Sequence, residues 1–434
     1  MAIQDDVLVI GGGLAGATAA LAAANAGTKR VRLVTYKQST LRHASGLIDL
    51  LGYTPDGDGP LIDPFSALAD LPQGHPYERV GIDAVREALS FFDALAGDAY
   101  AGGNTDRNAL VPTHGGTVKP TARYPASSAA GLASDERDAL LVGFETLPDF
   151  DAPLSAAHLE AAGVPFDCRG VTLRFPGIDR DDAKVTRYAH LLDRNETVST
   201  FVASPGAREA LATVVRDHHE GESRIGFPAV LGDDRADDVR ADLADALGAD
   251  VFEVPMGPPS LPGIRLEELL YDALEGAGVR VTSGVPVVSY ETNAGGDGGR
   301  GDRIDHVVVD RHGAKIPHRA QQYVLATGGL VGKGIESDRE RVTEPIFDCH
   351  VPHADDRYDW FVDDAFGKQP YARFGLAPDR ELRPLDSGAN PEFANLRAAG
   401  AVLGGYDYAA EKSGAGVSIA TGYVAGTHSA EGCE

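Results

Sequence analysis

The glycine pattern near the N-terminus restricts the fold of this 434-residue chain more than any other feature. A continuous apolar run at Val7–Ile10 precedes Gly-Gly-Gly-Leu-Ala-Gly (11–16), and an Ala-rich stretch follows as far as about Ala26. The first run is typical of a buried parallel strand and the second of a helix. Another apolar run follows at Val31–Val34. The order is therefore strand, helix, strand, which is the unit that opens a Rossmann-like sheet.

The glycines of this pattern have separate tasks in a nucleotide-binding turn. Gly11 permits the tight turn, Gly13 lets the backbone approach a phosphate, and Gly16 lets the helix pack against the strand. The N–H groups and the dipole at the helix N-terminus favour an anion there. An acid that binds ribose hydroxyls normally follows the second strand, but here Thr35 begins a Thr-Tyr-Lys sequence in that place. The sequence therefore predicts a mononucleotide site, or a dinucleotide held in an atypical way.

Two later segments change this prediction from a nucleotide to a flavin. The apolar run Tyr323–Leu325 leads into Ala-Thr-Gly-Gly (326–329), which resembles a segment of flavoproteins with two dinucleotide-binding domains. A glycine-rich stretch at 399–418 resembles the segment on which such proteins seat the isoalloxazine ring. Glycines at the start of a helix offer N–H groups and a positive dipole to the flavin N1/O2 edge. The residues predicted to bind the cofactor are Gly11, Gly13, Gly16, Thr35, Ser45, Gly46, Thr327, Gly328, Gly400, Gly404, Gly414, Gly416 and Val417.

The middle of the chain is predicted to form an α/β insertion. Strand-then-helix patterns occur at 138–162 and 224–247, and a further strand is expected at 250–255. From residue 263 onwards the sequence predicts a helix at 264–276 and then four strands, which the first βαβ unit needs to complete its sheet. A last helix is expected from near Gly416 to about Val424.

The predicted fold class is thus α/β. A Rossmann-like flavin-binding body is assembled from N- and C-terminal segments, residues 1–74 and 263–434, with an inserted α/β domain at 75–262.

The charge balance excludes several classes of partner. The chain has 39 Lys and Arg against 65 Asp and Glu, a formal net charge of −26. Such a surplus argues against nucleic-acid binding and against direct docking on anionic lipid. Because the acids are spread along the chain, we interpret the surface as one adapted to concentrated salt. No apolar stretch reaches the roughly 20 residues that a membrane span needs, and the start leaves no room for a signal peptide, so a cytoplasmic protein without direct membrane insertion is expected.

The cysteines and histidines do not suggest a metal site. Cys168, Cys349 and Cys433 are far apart and form no C-x-x-C pair, so we expect neither an iron–sulfur cluster nor structural zinc. His350 and His353 stand in His-Val-Pro-His without a carboxylate-rich third ligand, which makes a metal pair a poor interpretation. If this protein moves electrons, any metal centre belongs to another chain.

Several motifs narrow the resemblance to one family. TYKQSTLRHASGLIDLL after the second predicted strand, GIRLEELL, EPIFD (344–348), RPLDSG and GAVLGGYDY all resemble the B subunit of anaerobic glycerol-3-phosphate dehydrogenase. The resemblance covers essentially the full chain. It implies FMN as the cofactor, with FAD as the alternative, and oxidation of sn-glycerol 3-phosphate to dihydroxyacetone phosphate with quinone as the final acceptor, in glycerol degradation.

The same resemblance implies partner proteins. The chain would form a catalytic pair with the A subunit of the enzyme, and an iron–sulfur C subunit would attach this pair to the membrane. The chain would then lie at the inner face of the cell membrane, held there through its partners.

Candidate catalytic residues lie next to the expected flavin segments. Oxidising a secondary alcohol needs a hydride acceptor, a base for the hydroxyl proton and cations for the phosphate. In the loop before Ser45, His43 is a candidate base and Arg42 a candidate anion-binding residue, although a solvent-facing pair is an equally good interpretation. Arg373 and Arg383 are further candidates for an anion site.

Two other functions remain open at this point. One is a self-contained FAD-dependent reductase or dehydrogenase of the fumarate-reductase kind, which would need an evident set of substrate-binding arginines and histidines. The other is a non-catalytic protein that relays electrons or braces the A subunit. Substrate would reduce the flavin of an enzyme, but it would not reduce the flavin of such a non-catalytic protein.

Overall fold

A computed structural model of the protein describes residues 3–27, 29–37, 39–180, 183–199, 204–293 and 302–433. The strands, in chain order, are β1 (Ile3–Ile10), β2 (Val31–Thr35), β3 (Tyr100–Ala101), β4 (Ala109–Pro112), β5 (Val118–Thr121), β6 (Tyr124–Pro125), β7 (Ala139–Phe144), β8 (Cys168–Leu173), β9 (Arg224–Pro228), β10 (Asp250–Val254), β11 (Arg280–Ser283), β12 (Val287–Thr292), β13 (Ile304–Arg311), β14 (Ala314–Leu325), β15 (Glu336–Ser337), β16 (Val342–Thr343) and β17 (Leu396–Ala398).

The α-helices follow the same order. They are α1 (Leu14–Asn25), α2 (Pro64–Leu68), α3 (Pro76–Val80), α4 (Ile82–Ala96), α5 (Ala152–Ala161), α6 (Val185–Asp193), α7 (Ala207–Arg216), α8 (Ala236–Leu247), α9 (Leu261–Gly276), α10 (Tyr408–Glu411) and α11 (Gly414–Glu431).

The chain divides into two compact units, each built from separated segments. The first unit comprises Met1–Thr40, Asp49–Leu95 and Glu268–Glu434, and the second comprises Leu41–Ile48 and Ala96–Glu267. This division differs from the domain limits expected at residues 75 and 262.

Local contacts account for the difference. Ile48 donates its backbone N–H to the carbonyl of Arg123, which places the 41–48 segment with the second unit. Tyr77 on α3 donates its hydroxyl to the Leu50 carbonyl within the first unit.

The first unit is organised by a mixed sheet in the order β11-β2-β1-β14-β13-β12, with β17 also paired to β14. Strands β11, β2, β1, β14 and β17 pair in parallel, whereas β12 and β13 pair antiparallel. Val7, Leu8 and Val9 of β1 are completely buried, as expected for a central parallel strand. The α/β fold class predicted from the sequence is confirmed.

The C-terminal helix packs closely against α1 through glycine. A Cβ added at Gly422 would lie 2.5 Å from the carbonyl oxygen of Ala15, and one at Gly426 would collide with the carbonyl of Ala19. The absence of side chains at these positions therefore lets the two helix backbones approach each other. The expected end of this helix near Val424 was wrong, because it continues to Glu431 and its internal glycines serve this packing rather than ending the helix.

The second unit contains its own parallel sheet, in the order β10-β9-β7-β8. Leu140, Val142 and Phe144 of β7 are at most 1% exposed and join a core that includes side chains of α5, α7 and α8. Five elements of this region, β7, α5, β9, α8 and β10, match the patterns of the sequence to within a few residues, whereas β8, α6 and α7 were not predicted.

The EPIFD segment in the first unit forms a turn around a buried carboxylate. Glu344 is 1% exposed, and its two oxygens accept the backbone N–H groups of Ile346 at 2.8 Å and Phe347 at 2.7 Å. Burial raises the pKa of Glu344 to about 7, although the backbone N–H donors act in the opposite direction. The protonated form is therefore favoured in the folded chain relative to the unfolded chain.

We expect this carboxyl group to make folding stability fall as pH rises from 4.5 to about 7. The unfolded chain releases the proton near pH 4.5 and the folded chain near pH 7, so the full contribution is present below pH 4.5 and is lost above pH 7. The size is about 3 kcal/mol in the free energy of unfolding. Denaturant unfolding at pH 5.5 and pH 8 should show a smaller difference in Glu344→Gln than in the wild type. The control Glu340→Gln changes an exposed neighbour, and equal pH dependence in all three proteins would contradict the expectation.

Candidate functional site

Three separated segments meet at the carboxyl edge of the first unit's sheet. The last residues of β1, β14 and β17 lie side by side, with Ile10 paired to Leu325 and Leu325 paired to Ala398. The chain beyond the strands stays together, because Ala326 donates its N–H to the Ile10 carbonyl at 2.8 Å. Ala399 likewise donates to the Leu325 carbonyl at 2.9 Å. Ligands of open α/β sheets bind in the crevice at such an edge.

The glycine-rich turn after β1 leaves space at the N-terminus of α1. Gly11 has a φ of +114°, and a Cβ there would collide with Ala326, while a Cβ at Gly16 would collide with the Gly11 carbonyl. A Cβ at Gly13, in contrast, would meet nothing within 4 Å. Gly13 is the N-cap of α1 and provides no side-chain cap, and the described residues offer no acceptor for the N–H groups of Leu14 and Ala15. Open space beside unpaired N–H groups fits an anion such as a flavin phosphate.

The segment after β14 contributes an unpaired hydroxyl. The Thr327 Oγ1 atom is buried and has no hydrogen-bond partner among the residues that the structure describes. It precedes Gly328, whose φ is +86°. A buried hydroxyl without a partner is costly, and a polar ligand group in the crevice would remove that cost.

The end of β2 lacks the acid that normally binds a ribose. The Thr35 hydroxyl is instead donated to the backbone carbonyl of Lys37 at 3.1 Å. Tyr271 of α9, which the sequence did not single out, donates its hydroxyl to the Gly12 carbonyl at 3.1 Å. The turn is therefore braced from α9, but no carboxylate is supplied at the expected position after β2.

The C-terminal glycines mostly pack the protein itself. Gly400 has a φ of +75° and donates its N–H to Thr421 Oγ1 at 2.8 Å. Three further residues that were predicted to contact the flavin also donate their N–H groups within the protein: Gly404 to Leu376, Gly416 to Asp49 and Val417 to Ser413.

The expectation that the N–H groups of Gly416 and Val417 face a flavin edge does not fit this arrangement. Gly414 is partly exposed at the first position of α11, and for this residue a contact with the flavin stays a prediction.

The predicted catalytic loop belongs to the second unit. Arg42 and His43 end a short 3₁₀ helix, Thr40–His43, and the Arg42 Nε lies 2.6 Å from a Glu267 carboxylate oxygen. This ion pair reduces the capacity of Arg42 to hold a separate anion. His43 is exposed.

Ser45 and Gly46 also lie in this unit. The Ser45 Oγ accepts the Leu47 N–H at 3.4 Å, and Gly46 accepts a hydrogen bond from the Tyr100 hydroxyl at 2.8 Å. A Cβ at Gly46, whose φ is +77°, would lie 2.7 Å from Pro262. Both residues thus have structural tasks in the second unit.

The two later arginine candidates differ in their partners. Arg383 is paired with Asp379 at 2.7 Å and lies 3.5 Å from Glu381. Arg373 is partly buried and has no acidic partner among the described residues. Only Arg373 of the two therefore keeps a guanidinium that is available to an anion.

A buried histidine and glutamate, also not anticipated from the sequence, lie in the first unit. His75 is completely buried, and its Nε2 lies 3.0 Å from Glu411 Oε2. The His75 Nδ1 accepts the Tyr77 backbone N–H at 3.1 Å, so Nε2 carries the hydrogen that Glu411 accepts. Glu411 also accepts the Asp407 N–H at 3.0 Å. The pair fixes the turn that precedes α11.

Comparison with known proteins identifies the family. Residues 6–417 match the FAD binding domain family. The chain is 65% identical, over 99% of both chains, to a Halobacterium salinarum protein named as the probable B subunit of anaerobic glycerol-3-phosphate dehydrogenase. It is also 34% identical, over 95% of this chain and 96% of the other, to the B subunit of the Pectobacterium atrosepticum anaerobic glycerol-3-phosphate dehydrogenase. This chain belongs to the family of anaerobic glycerol-3-phosphate dehydrogenase B subunits.

Membership of this family confirms the resemblance and the prediction of a flavin-dependent oxidoreductase component. The relative from a halophile also fits the acidic composition. Among solved structures, the chain is similar to the 3-ketosteroid delta1-dehydrogenase of Sterolibacterium denitrificans, with 12% identity and a TM-score of 0.45 over 99% of each chain. The family is named as one subunit of a dehydrogenase, so the protein belongs to a multi-subunit complex.

Two structural observations bear on metal and membrane binding by this dehydrogenase component. Cys168, Cys349 and Cys433 are free cysteines, and the described residues contain no group of three or more His, Cys, Asp or Glu side chains arranged for a metal ion. His353 is bonded through Nδ1 to the Val351 carbonyl at 2.6 Å. Within the described ranges, no helix is both long and apolar enough to cross a membrane.

Proposed function

We propose that this chain is the flavin subunit of a glycerol-3-phosphate:quinone oxidoreductase in glycerol degradation. The complex would oxidise sn-glycerol 3-phosphate to dihydroxyacetone phosphate and reduce quinone to quinol. The observation that supports this most strongly is the meeting of β1, β14 and β17 ends around an open, uncapped helix N-terminus, in a chain 65% identical to its Halobacterium salinarum relative.

The chain's own groups would bind the cofactor and orient the substrate. A bound flavin supplies the acceptor for the hydride that leaves the alcohol carbon. The N–H groups at the start of α1 would hold its phosphate next to Gly13, and Thr327 Oγ1 would donate to a polar ligand atom. His43 remains the proposed base for the alcohol proton, since it is exposed and not committed to a partner among the described residues.

The proposed cofactor is FMN, with FAD as the alternative. Thr35 offers a hydroxyl already donated to Lys37, whereas an adenosine ribose is normally held by a carboxylate after β2. Flavin released from the purified protein by denaturation, identified by chromatography and mass, is expected to be FMN. Recovery of FAD alone would contradict this part of the proposal.

The proposed partners are the A subunit of the enzyme, as the other half of the catalytic pair, and an iron–sulfur C subunit. Relatives that are themselves named as one component of the dehydrogenase support such an assembly. Through the iron–sulfur partner the protein would lie at the inner face of the cell membrane. Purification through a tag on this chain, in high salt, should recover both partners and quinone reduction driven by glycerol 3-phosphate. Full activity in a complex that lacks this chain would contradict the proposal.

One observation favours a second function, that of an electron relay or brace. Arg42 is paired with Glu267, which weakens the predicted catalytic loop. In that case Arg42→Gln and His43→Gln would leave turnover by the complex unchanged. A loss of turnover with normal flavin content in His43→Gln would instead support substrate chemistry on this chain.

A further inference from the structure

A small cavity in the first unit has a composition that the flavin site does not explain. It has a volume of about 180 Å³ and lies among the 53–57 loop, the 368–373 segment and the turn at 407–411. Pockets for drug-sized ligands have about 300–1,000 Å³. The cavity therefore suits a molecule with only a few carbon atoms.

The lining of this cavity includes two cationic residues. Arg373 and Lys368 both line it. The Lys368 Nζ lies 3.1 Å from Asp56 in an exposed ion pair, whereas Arg373 has no acidic partner among the described residues. A planar guanidinium presents parallel N–H donors that match phosphate oxygens. Arg373 is therefore the group best suited to bind a phosphate here.

The lining also includes two acidic residues that are held in place. Asp407 accepts the N–H groups of Ala409 and Ala410 at the start of α10. Glu411 also borders the cavity, but its side chain is buried and accepts hydrogen bonds from His75 at 3.0 Å and from the Asp407 N–H at 3.0 Å, so it helps to position Asp407. Positioned carboxylate oxygens accept hydrogen bonds from alcohol hydroxyls. A small ligand that carries both a phosphate and hydroxyls would find a partner for each group in this lining.

The backbone around Arg373 is bonded to the glycine turn before α11. The Arg373 carbonyl accepts the Gly405 N–H at 3.0 Å, and Gly404 donates to the Leu376 carbonyl at 3.0 Å. Arg373 ends a 3₁₀ helix, Pro370–Arg373, whose position these bonds fix. The arginine is thus held beside the segment that resembles the flavin seat, within the same unit.

From these observations we propose that this cavity is the substrate subsite, with the phosphate on Arg373 and the hydroxyl end at Asp407, which Glu411 helps to position. The assignment of the ligand as glycerol 3-phosphate rests on the proposed function. The chemistry of the cavity itself points to a short phosphorylated polyol.

Direct binding to the flavin-loaded complex tests this subsite. Calorimetric titration in high salt would compare glycerol 3-phosphate, glycerol and inorganic phosphate. We expect the first to bind, glycerol to bind far more weakly, and Arg373→Gln to weaken glycerol 3-phosphate binding about 10- to 100-fold. Arg373→Lys should recover part of the affinity, because the charge is retained without the fork of N–H donors. The control Arg380→Gln removes the same charge from an exposed neighbour and should bind as the wild type.

The outcomes separate this subsite from the proposed function. Wild-type affinity in Arg373→Gln, with normal flavin content, would overturn the subsite even if glycerol 3-phosphate still reduces the flavin. Absence of binding to the wild type would overturn it as well. If binding depends on Arg373 but the flavin is never reduced, the subsite stands and the proposed oxidation fails. In turnover, Arg373→Gln should raise KM much more than it lowers kcat.

Discussion

Gly13→Leu is expected to abolish flavin retention while the protein remains folded. A Cβ at Gly13 meets no atom within 4 Å, so the structure itself accommodates a side chain there. The same space lies beside the uncapped N-terminus of α1, where the cofactor phosphate is expected. A leucine would fill that space and exclude the phosphate. The ratio of flavin absorbance to protein absorbance after gel filtration in high salt measures the effect.

A matched substitution distinguishes loss of the site from loss of the fold. Gly276, at the end of α9, also has open space around an added Cβ, so Gly276→Leu should keep its flavin. We expect the unfolding free energy of Gly13→Leu to fall by less than about 1 kcal/mol, since glycine is replaced at an N-cap without a side-chain bond. Undiminished flavin in Gly13→Leu would show that the phosphate lies elsewhere.

His75→Asn is expected to destabilise the first unit strongly. Asparagine is a good N-cap residue and can still accept the Tyr77 N–H, but it is too short to reach Glu411. The substitution would leave a buried carboxylate with one donor fewer. It would also remove the ring that stacks on Tyr77 at 5.4 Å between centroids. The expected loss is about 3 kcal/mol in the free energy of unfolding.

Denaturant unfolding in high salt measures this loss. His350→Asn, at an exposed histidine of the same unit, is the control and should change stability little. Equal stability of His75→Asn and the wild type would mean that the His75–Glu411 bond contributes nothing net. If the stability falls as expected, glycerol 3-phosphate affinity should fall as well, because Glu411 helps to position Asp407 in the proposed subsite.

The fold was predictable where its signals are local. The strand, turn and helix between Ile3 and Asn25 follow from an apolar run, three spaced glycines and an Ala-rich stretch. The extent of α11 was not predictable in the same way, because Gly422 weakens a helix in isolation and serves close packing only when α1 lies against it.

The site was predictable in its segments but not in the role of each residue. A glycine pattern is the same whether its N–H groups face a ligand or, as for Gly416, a carbonyl of the protein. Arg373 and Arg383 were equal candidates in the sequence, and only their surroundings separate them. His75 and Glu411 are 336 positions apart, so no local pattern could have paired them.

The most direct test of the account is a visible spectrum of the chain purified alone in high salt, without oxygen, before and after addition of glycerol 3-phosphate. We expect a bound flavin whose absorbance is bleached by glycerol 3-phosphate and not by glycerol. A chain without flavin, or a bound flavin that stays oxidised while the intact complex turns over, would contradict it. The substrate chemistry would then lie on another component of the complex.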